Sequence, residues 1–384
     1  MAHAYSVGHN RCVRRAYMKL KSLHLSNVRN YAQLALEPAA GLNVFVGRNA
    51  QGKSNLLEAI SLLGTGKSFR TSRERDLIRD GLDLATISGE ARVRAGDIRM
   101  GCTIASTPRG TRKVYAVNGQ SMRYAKFLGN LRVVTFVPAD LQLVGGAPSL
   151  RRAFLNVALA QEQRTYYHEL ARYQKAVTQK SALLRSGEEP DADLLAIYNE
   201  TLIEAGTAIM LAREQLVRLL SAAAADVHAQ WTGGAEKLEV AYQPSVAFEV
   251  PTAETIAGAF AARLKTLAPQ ERVRQMTLTG PHRDDLDLQL DGRSLAAYGS
   301  QGQQRTAVLA LKVAEYTVMH ERSAEAPLLL LDDVLSELDP IRAQAFLAGV
   351  GSFEQAFITA THVPEGLPHA RLYTIEDARV REAA

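Results

Sequence analysis

Cysteine is nearly absent from this 384-residue chain. Cys12 and Cys102 are the only two, too isolated to make a disulfide framework or a paired metal knuckle. A reducing compartment suits that composition, and a cytoplasmic protein is expected. Long apolar runs are missing too: no uninterrupted stretch approaches the ~18 residues needed to cross a bilayer, and no signal-peptide core follows the N-terminus. A soluble protein with no membrane partner is therefore expected. Internal repeats and low-complexity tracts are also lacking, and 47% hydrophobic residues make the chain globular rather than disordered. Its length allows two or three lobes. Acid is scarce in one place: from Ala91 to Ala139 nine Lys or Arg residues accompany a single acid, Asp97, although the whole chain carries only +5.

What is present begins with "GRNAQGKSN", Gly47 to Asn55. Glycine, four residues, then Gly52, Lys53 and Ser54 is the phosphate-loop pattern. Before it, Leu42 to Val46 is an apolar run suited to a buried parallel strand. After it, Leu56, Leu57, Ile60 and Leu63 recur at helical spacing. In the order strand, loop, helix, the backbone N–H groups of Gly47, Arg48, Asn49, Ala50, Gln51, Gly52, Lys53, Ser54 and Asn55 can face an anion. Lys53 can reach the β and γ phosphates, and Ser54 can ligate Mg2+. The plain alternative is a glycine turn with an exposed lysine. A second "GKS" at Gly66 to Ser68 has Ser61 where the first glycine should stand, so it is set aside, and Gly64 is read as the stop of the first helix.

Near the C-terminus "PLLLLDD" ends a buried strand in Asp332 and Asp333. Carboxylates at the sheet's carboxyl edge lie beside a phosphate loop in this kind of fold. Asp332 can hold Mg2+ through water and Asp333 can orient or deprotonate a water aimed at the γ-phosphate; surface acids capping a helix are the alternative. "YGSQGQQR", Tyr298 to Arg305, is a glycine-containing turn before an amphipathic helix, a second available anion site. "AFITATHV" is a strand ending near His362, which could sense a terminal phosphate or simply be structural.

Taken together and in this order, these motifs resemble the ABC-type ATPases of the SMC and Rad50 head branch. The stretches "GTGKSFRTSRERDLI", "PADLQLVGGAPSLRRAFLN" and "TGPHRDDL" are similar to segments of the RecF family within it. The resemblance implies an α/β fold: a P-loop ABC-type ATPase head, a mixed sheet with flanking helices plus an antiparallel β region, and a helical second lobe. It implies slow, DNA-dependent ATP hydrolysis, an ATP-dependent homodimer, and action in recombinational repair on double-stranded and gapped DNA. RecR is the implied partner, with RecO, and RecA downstream. Lys53, Asp333 and His362, the last as the switch histidine, take the catalytic roles. Gly299 to Gln303 looks like the signature motif, with Ser300, Gln301, Gly302 and Gln303 as its ATP-binding residues, and Ser336 to Asp339 like the D-loop. Ser54 and Asp332 are the metal ligands, with Gln142 in the region of a magnesium-contacting glutamine whose register is open. "SQGQ" departs from the common "SGGQ", and Asp333 stands where many relatives carry glutamate, which puts fast turnover in doubt. A non-catalytic nucleotide-gated scaffold and a transporter's ATPase subunit are the alternatives; about 250 residues between Lys53 and Ser300 are too many for a transporter's insert.

The basic segment reads as antiparallel strands with an Asn118–Gly119 hairpin turn. Arg109, Arg112 and Lys113 are its candidate DNA contacts; a solvated outer face is the alternative, and Arg70, Arg73 and Arg75 are a second location. Four regions are expected. Residues 1–17 form an arginine-containing disordered extension, whose second reading is a targeting peptide. Residues 18–140 and 271–384 make the two parts of the ATPase lobe, and 141–270 make a mainly helical lobe. Within the latter, Asp191 to His228 supports one helix of about 38 residues, or ~57 Å. A looser segment follows, then a short helix near Ile256 to Leu267.

Overall fold

The computed structural model describes residues 18–186, 189–334 and 353–383, apart from 365 and 368, together with 344, 346 and 349. The expected extension at 1–17 and the D-loop at Ser336 to Asp339 lie outside the described residues. The apolar run before the phosphate loop is strand β3 (Gly41–Val46), buried from Leu42 through Phe45. Burial on both faces is what a central parallel strand requires. β3 runs parallel to β13 (Gln355–Ala360) on one side and β14 (Ala370–Glu376) on the other. Beyond β13 lie β12 (Leu328–Asp332) and then β8 (Val133–Phe136), both parallel, while β15 (Arg379–Glu382) pairs antiparallel with β14. The order β15-β14-β3-β13-β12-β8 sets Val46 beside Ala360 and Thr359 beside Asp332 at one edge.

A second sheet is antiparallel throughout. It consists of β1 (Lys19–Val28), β2 (Tyr31–Leu36), β4 (Leu84–Val93), β5 (Gly96–Thr107), β6 (Gly110–Val117) and β7 (Gln120–Met122), in the order β2-β1-β4-β5-β6-β7. Asn118 and Gly119 turn β6 into β7 with φ of 51° and 79°, the two left-handed residues that match a hairpin's twist. Helix α1 (Lys53–Thr65) shares one core with both sheets. Leu56, Leu57, Ile60 and Leu63 pack there with Leu23, Ile87 and Ile104 of the antiparallel sheet and with Leu328, Leu330 and Phe357 of the parallel one. Leu329 and Leu331 belong to the other core, under the remaining helices. The four leucines thus divide by the two-residue period of a strand.

That other core gathers α4 (Pro148–Glu162), α5 (Arg164–Leu184), α6 (Ala192–Thr232), α7 (Ala253–Arg274) and α9 (Gln301–Ser323). Three one-turn helices, α2 (Tyr124–Phe127), α3 (Gln142–Gly145) and α8 (Leu295–Tyr298), make connections.

Several sequence expectations change. α1 does not stop at Gly64, which is helical and carries no side chain because a Cβ there would stand 2.7 Å from Val133. The helix is ended by Gly66 at φ 66°, the left-handed cap that glycine favours. α6 has 41 residues, with Asp191 as its N-cap, and α7 has 22 residues, with Pro269 inside it. The segment read as loose contains β9 (Leu238–Gln243), which pairs with β10 (Asp285–Leu290), itself paired with β11 (Arg293–Ser294). α6 also contains an 18-residue window of mean hydropathy 1.2, long and apolar enough to cross a membrane. Its Leu202, Ile209, Met210, Leu216 and Leu220 are instead core residues.

Arg213, in the middle of α6, is 1% exposed and pairs with Asp284 at 3.0 Å. Asp284 also accepts from the Tyr242 hydroxyl and from the Ser245 amide at 2.9 Å, while Asp285 takes both sides of the Arg151 guanidinium at 2.6 and 2.8 Å. "TGPHRDDL" is thus the polar joint of the helical side. Removing one charge of a buried pair costs about 3–5 kcal/mol because the other is left uncompensated. Asp284→Asn is expected to lower the urea unfolding midpoint accordingly, followed by circular dichroism.

Candidate active site

The loop from Gly47 to Lys53 leaves β3 at the sheet's carboxyl edge and enters α1. Gly52 caps the helix at φ 118°, and a Cβ there would lie 2.9 Å from Asn30 Nδ2 and 3.0 Å from the Tyr31 hydroxyl. Those two residues brace the loop: Asn30 donates to the Gln51 carbonyl at 3.2 Å and Tyr31 to the Gly52 carbonyl at 3.1 Å. The Gln51 side chain accepts from the Asp377 amide at 2.7 Å, and the Asn55 side chain is held between Asn30 and Arg70 at 2.8 and 2.5 Å. Both side chains are committed to the loop's shape.

Lys53 is buried, and its ammonium donates to the carbonyls of Gly47 at 2.5 Å and Arg48 at 3.0 Å. Burial holds its pKa below the usual lysine value, opposed by the charges of Asp333 and Asp332. Ser54 Oγ donates to Asp332 Oδ1 at 2.8 Å, and Thr359 Oγ1, from the neighbouring strand β13, donates to the same oxygen at 2.8 Å. The Asp333 amide donates to Thr359 Oγ1 at 2.9 Å, and its φ of 52° turns the chain out of the strand immediately after Asp332. Thr359, Asn30 and Tyr31 are site residues that motif spacing missed. A threonine inside the apolar run "AFITA" was the available signal.

His362 follows β13 by two residues at this edge, exposed, with Nδ1 bonded to the Thr361 hydroxyl at 2.9 Å. Gln142 opens α3 beyond the end of β8, and it too is exposed. Ser300 is the N-cap of α9 in a reciprocal box with Gln303: the Gln303 amide donates to Ser300 Oγ at 3.2 Å and the Ser300 amide to Gln303 Oε1 at 2.8 Å. Gln303 Nε2 also reaches Glu236 at 2.8 Å. Among the described residues no hydrogen bond or ion pair joins the turn at 300–303 to the loop at 47–55.

The basic sheet divides its candidates. Arg109 and Arg112 are exposed. Lys113, the neighbour of Arg112, points to the opposite face, 7% exposed, pairing with Glu74 at 2.8 Å and donating to the Gly66 carbonyl at 3.1 Å. Adjacent residues of a strand cannot share a face, so Lys113 leaves the set of DNA contacts.

Residues 19–375 match the family described as "RecF/RecN/SMC N terminal domain". A DNA replication and repair protein RecF from Symbiobacterium thermophilum is 44% identical over 91% of this chain and 92% of its own length. This chain belongs to the RecF family. A RecF family protein from Gloeobacter violaceus is 40% identical over 94% of this chain and 98% of its own. A solved structure of the recombination mediator protein RecF-ATP in the RecFOR pathway is 33% identical, with a TM-score of 0.90 over 98% of this chain and 100% of that one. An Smc head domain from Pyrococcus furiosus, 15% identical with a TM-score of 0.56 over 95% and 96% of the two chains, shares the fold. RecF family membership makes the protein an ABC-type ATPase, with the α/β head fold that the motifs imply.

On the phosphate-loop reading, Lys53→Ala and Ser54→Ala would each remove a charge-assisted contact, worth about 1.5–3 kcal/mol. Each is expected to weaken ATP binding by about ten- to a hundredfold, measured by titration with a fluorescent ATP analogue.

Proposed function

We propose that this protein is an ATP-dependent DNA-binding protein of recombinational repair and replication restart, in which ATP joins two copies head to tail and slow hydrolysis releases them. One observation supports the reading: a single chain carries two separate turns that each open a helix, the loop at 47–54 before α1, where Ser54 meets Asp332, and the exposed N-terminus of α9 at Ser300. A helix N-terminus offers unpaired N–H groups and the positive end of its dipole. Each turn is half a site. In a head-to-tail pair, Lys53 of one copy and Ser300 of the partner subunit share the γ-phosphate, with Gln301, Gly302 and Gln303 completing the partner's half.

Within each site, the backbone amides from Gly47 to Asn55 wrap the phosphates, and Lys53 exchanges its contacts with the loop's carbonyls for the β and γ oxygens. Ser54 and Asp332 present two hard oxygens already 2.8 Å apart, the donor chemistry that Mg2+ takes, and Gln142 is the third candidate ligand. A Mg2+ held by these residues would supply positive charge to the phosphates. Asp333 orients and deprotonates the attacking water, and His362 senses the γ-phosphate. The shorter carboxylate of Asp333 and its fixed left-handed backbone fit slow turnover.

Arg109 and Arg112 contact duplex phosphates beside single-strand gaps, independently of sequence. A solved relative that acts as a recombination mediator in the RecFOR pathway supports RecR as the partner, with RecO, in helping to load RecA in the cytoplasm.

ATP can shift the monomer–dimer equilibrium only by its difference in affinity for the two states. Ser300→Arg crowds the interface and leaves Lys53 untouched, so ATP is expected to bind while sedimentation shows only monomer. Asp333→Asn is expected to keep the ATP-dependent dimer and lose turnover. If ATP leaves the unmodified protein monomeric, the shared-site reading is wrong. Changing Arg109 and Arg112 together to glutamine is expected to flatten the log-log salt dependence of duplex binding by about 1.8, at about 0.9 per lost phosphate contact.

A further inference from the structure

The stretch Thr279–Asp285 has no place in the nucleotide site, yet it organises a second concentration of charge. Its two carboxylates are spent inside the fold, Asp284 on Arg213 and Asp285 on Arg151. Four arginines around it have no such partner among the described residues. Arg152 donates to the Asp284 carbonyl at 2.8 Å, and Arg283 to the Thr277 carbonyl at 3.4 Å beside the Met276 sulfur at 3.6 Å. Arg272 and Arg274 occupy the last turn of α7. None of the four forms an ion pair among the described residues. From Arg272 to Arg283 the sequence "RVRQMTLTGPHR" contains no acid. The preceding Glu271 is buried, paired with Lys180 at 2.6 Å and accepting from the Leu278 amide at 2.8 Å. Arg272, Arg274 and Arg283 are exposed.

The turn that carries Arg283 is rigid. Gly280 sits at φ 115°, where a Cβ would collide with the Tyr173 hydroxyl. His282 bridges that hydroxyl at 2.6 Å and the Thr277 carbonyl at 3.2 Å, and Arg213 holds the Pro281 carbonyl at 2.6 Å. Burial lowers the pKa of Arg152; the Arg213 and Arg283 charges add to that, and the Asp285 and Asp284 charges oppose it.

Resting on the DNA-binding reading above, we infer that Arg272, Arg274 and Arg283 form a second phosphodiester-binding surface, on the helical side of the molecule. Guanidinium groups suit phosphate through paired N–H donors. An array on an exposed turn and helix end fits phosphates spaced along a backbone, where a single free phosphate or nucleotide would call for a closed cradle. The motif's buried carboxylates anchor the turn, and its Arg283 is exposed, as are Arg272 and Arg274 at the end of α7.

The test changes Arg272, Arg274 and Arg283 together to glutamine in the full chain, keeping Arg152 because its bond to the Asp284 carbonyl belongs to the scaffold. A parallel variant carries lysine at the same three positions. Binding of a fluorescent duplex is measured across a salt series, alongside ATP binding without DNA and capture of RecR. The expected result is a salt slope flatter by about 2.7, three contacts at about 0.9 each, restored by lysine, with ATP affinity and unfolding midpoint unchanged. Unchanged duplex affinity and slope in the glutamine variant overturns the inference while leaving DNA binding itself in place. Loss of ATP binding with duplex binding intact assigns the surface to free nucleotide, and loss of RecR capture alone assigns it to a protein; either result overturns it. If the unmodified protein shows no salt-dependent duplex binding, the DNA reading itself fails.

Discussion

Ser54 and Asp332 stand 278 residues apart in the chain and 2.8 Å apart in space, and the rest of the site depends on that meeting. The bond does not create the meeting, since a hydrogen bond to a charged group contributes a net of about 1.5–3 kcal/mol. Each fully buried Val, Leu, Ile or Phe contributes about 1.5–3 kcal/mol, and Val44, Phe45, Leu328, Leu330, Phe357 and Ile358 are all 0% exposed. Packing on both faces of the parallel sheet therefore fixes the register. Register in turn sets Thr359 beside the end of β12, where one hydroxyl serves both Asp332 and Asp333.

The helical side is joined on a different principle. Arg151 with Asp285, Lys180 with Glu271 and Arg213 with Asp284 are largely buried ion pairs linking α4, α5 and α6 to the end of α7 and the segment after it. Such pairs repay little net stability against the cost of taking charges out of water. They do penalise every arrangement that leaves one charge without its partner. The apolar core holds these helices in contact, and the pairs select which contact.

Features decided within a dozen residues are readable in the sequence. The phosphate loop between an apolar run and a helical pattern, the carboxylates after "LLLL", the Asn118–Gly119 turn and the Asp191 cap all lie where local chemistry puts them. Features decided by distant partners are not. Lys113 looks like its neighbour Arg112 until the fold brings Glu74 against it. The stretch around Leu238 looks loose because β9 acquires its partner only from Asp285 to Leu290. Gly64 looks like a helix stop because nothing nearby in sequence reveals that Val133 will press on it. The helix near Ile256 to Leu267 looks short, whereas α7 continues through Pro269 to Arg274.

The insertion of the helical side between β8 and β12 also orders events during synthesis. The phosphate loop emerges early, but Asp332 and Thr359 follow almost three hundred residues later, about half a minute at ~10 residues per second. Until then β3 has neither of its parallel neighbours, β13 and β14, and α1 lacks the partners that Leu328, Leu330 and Phe357 supply. A nascent chain therefore carries the phosphate-loop sequence long before it carries the site. The residues that meet the loop at the sheet's edge are therefore assembled only when nearly the whole polypeptide has been made.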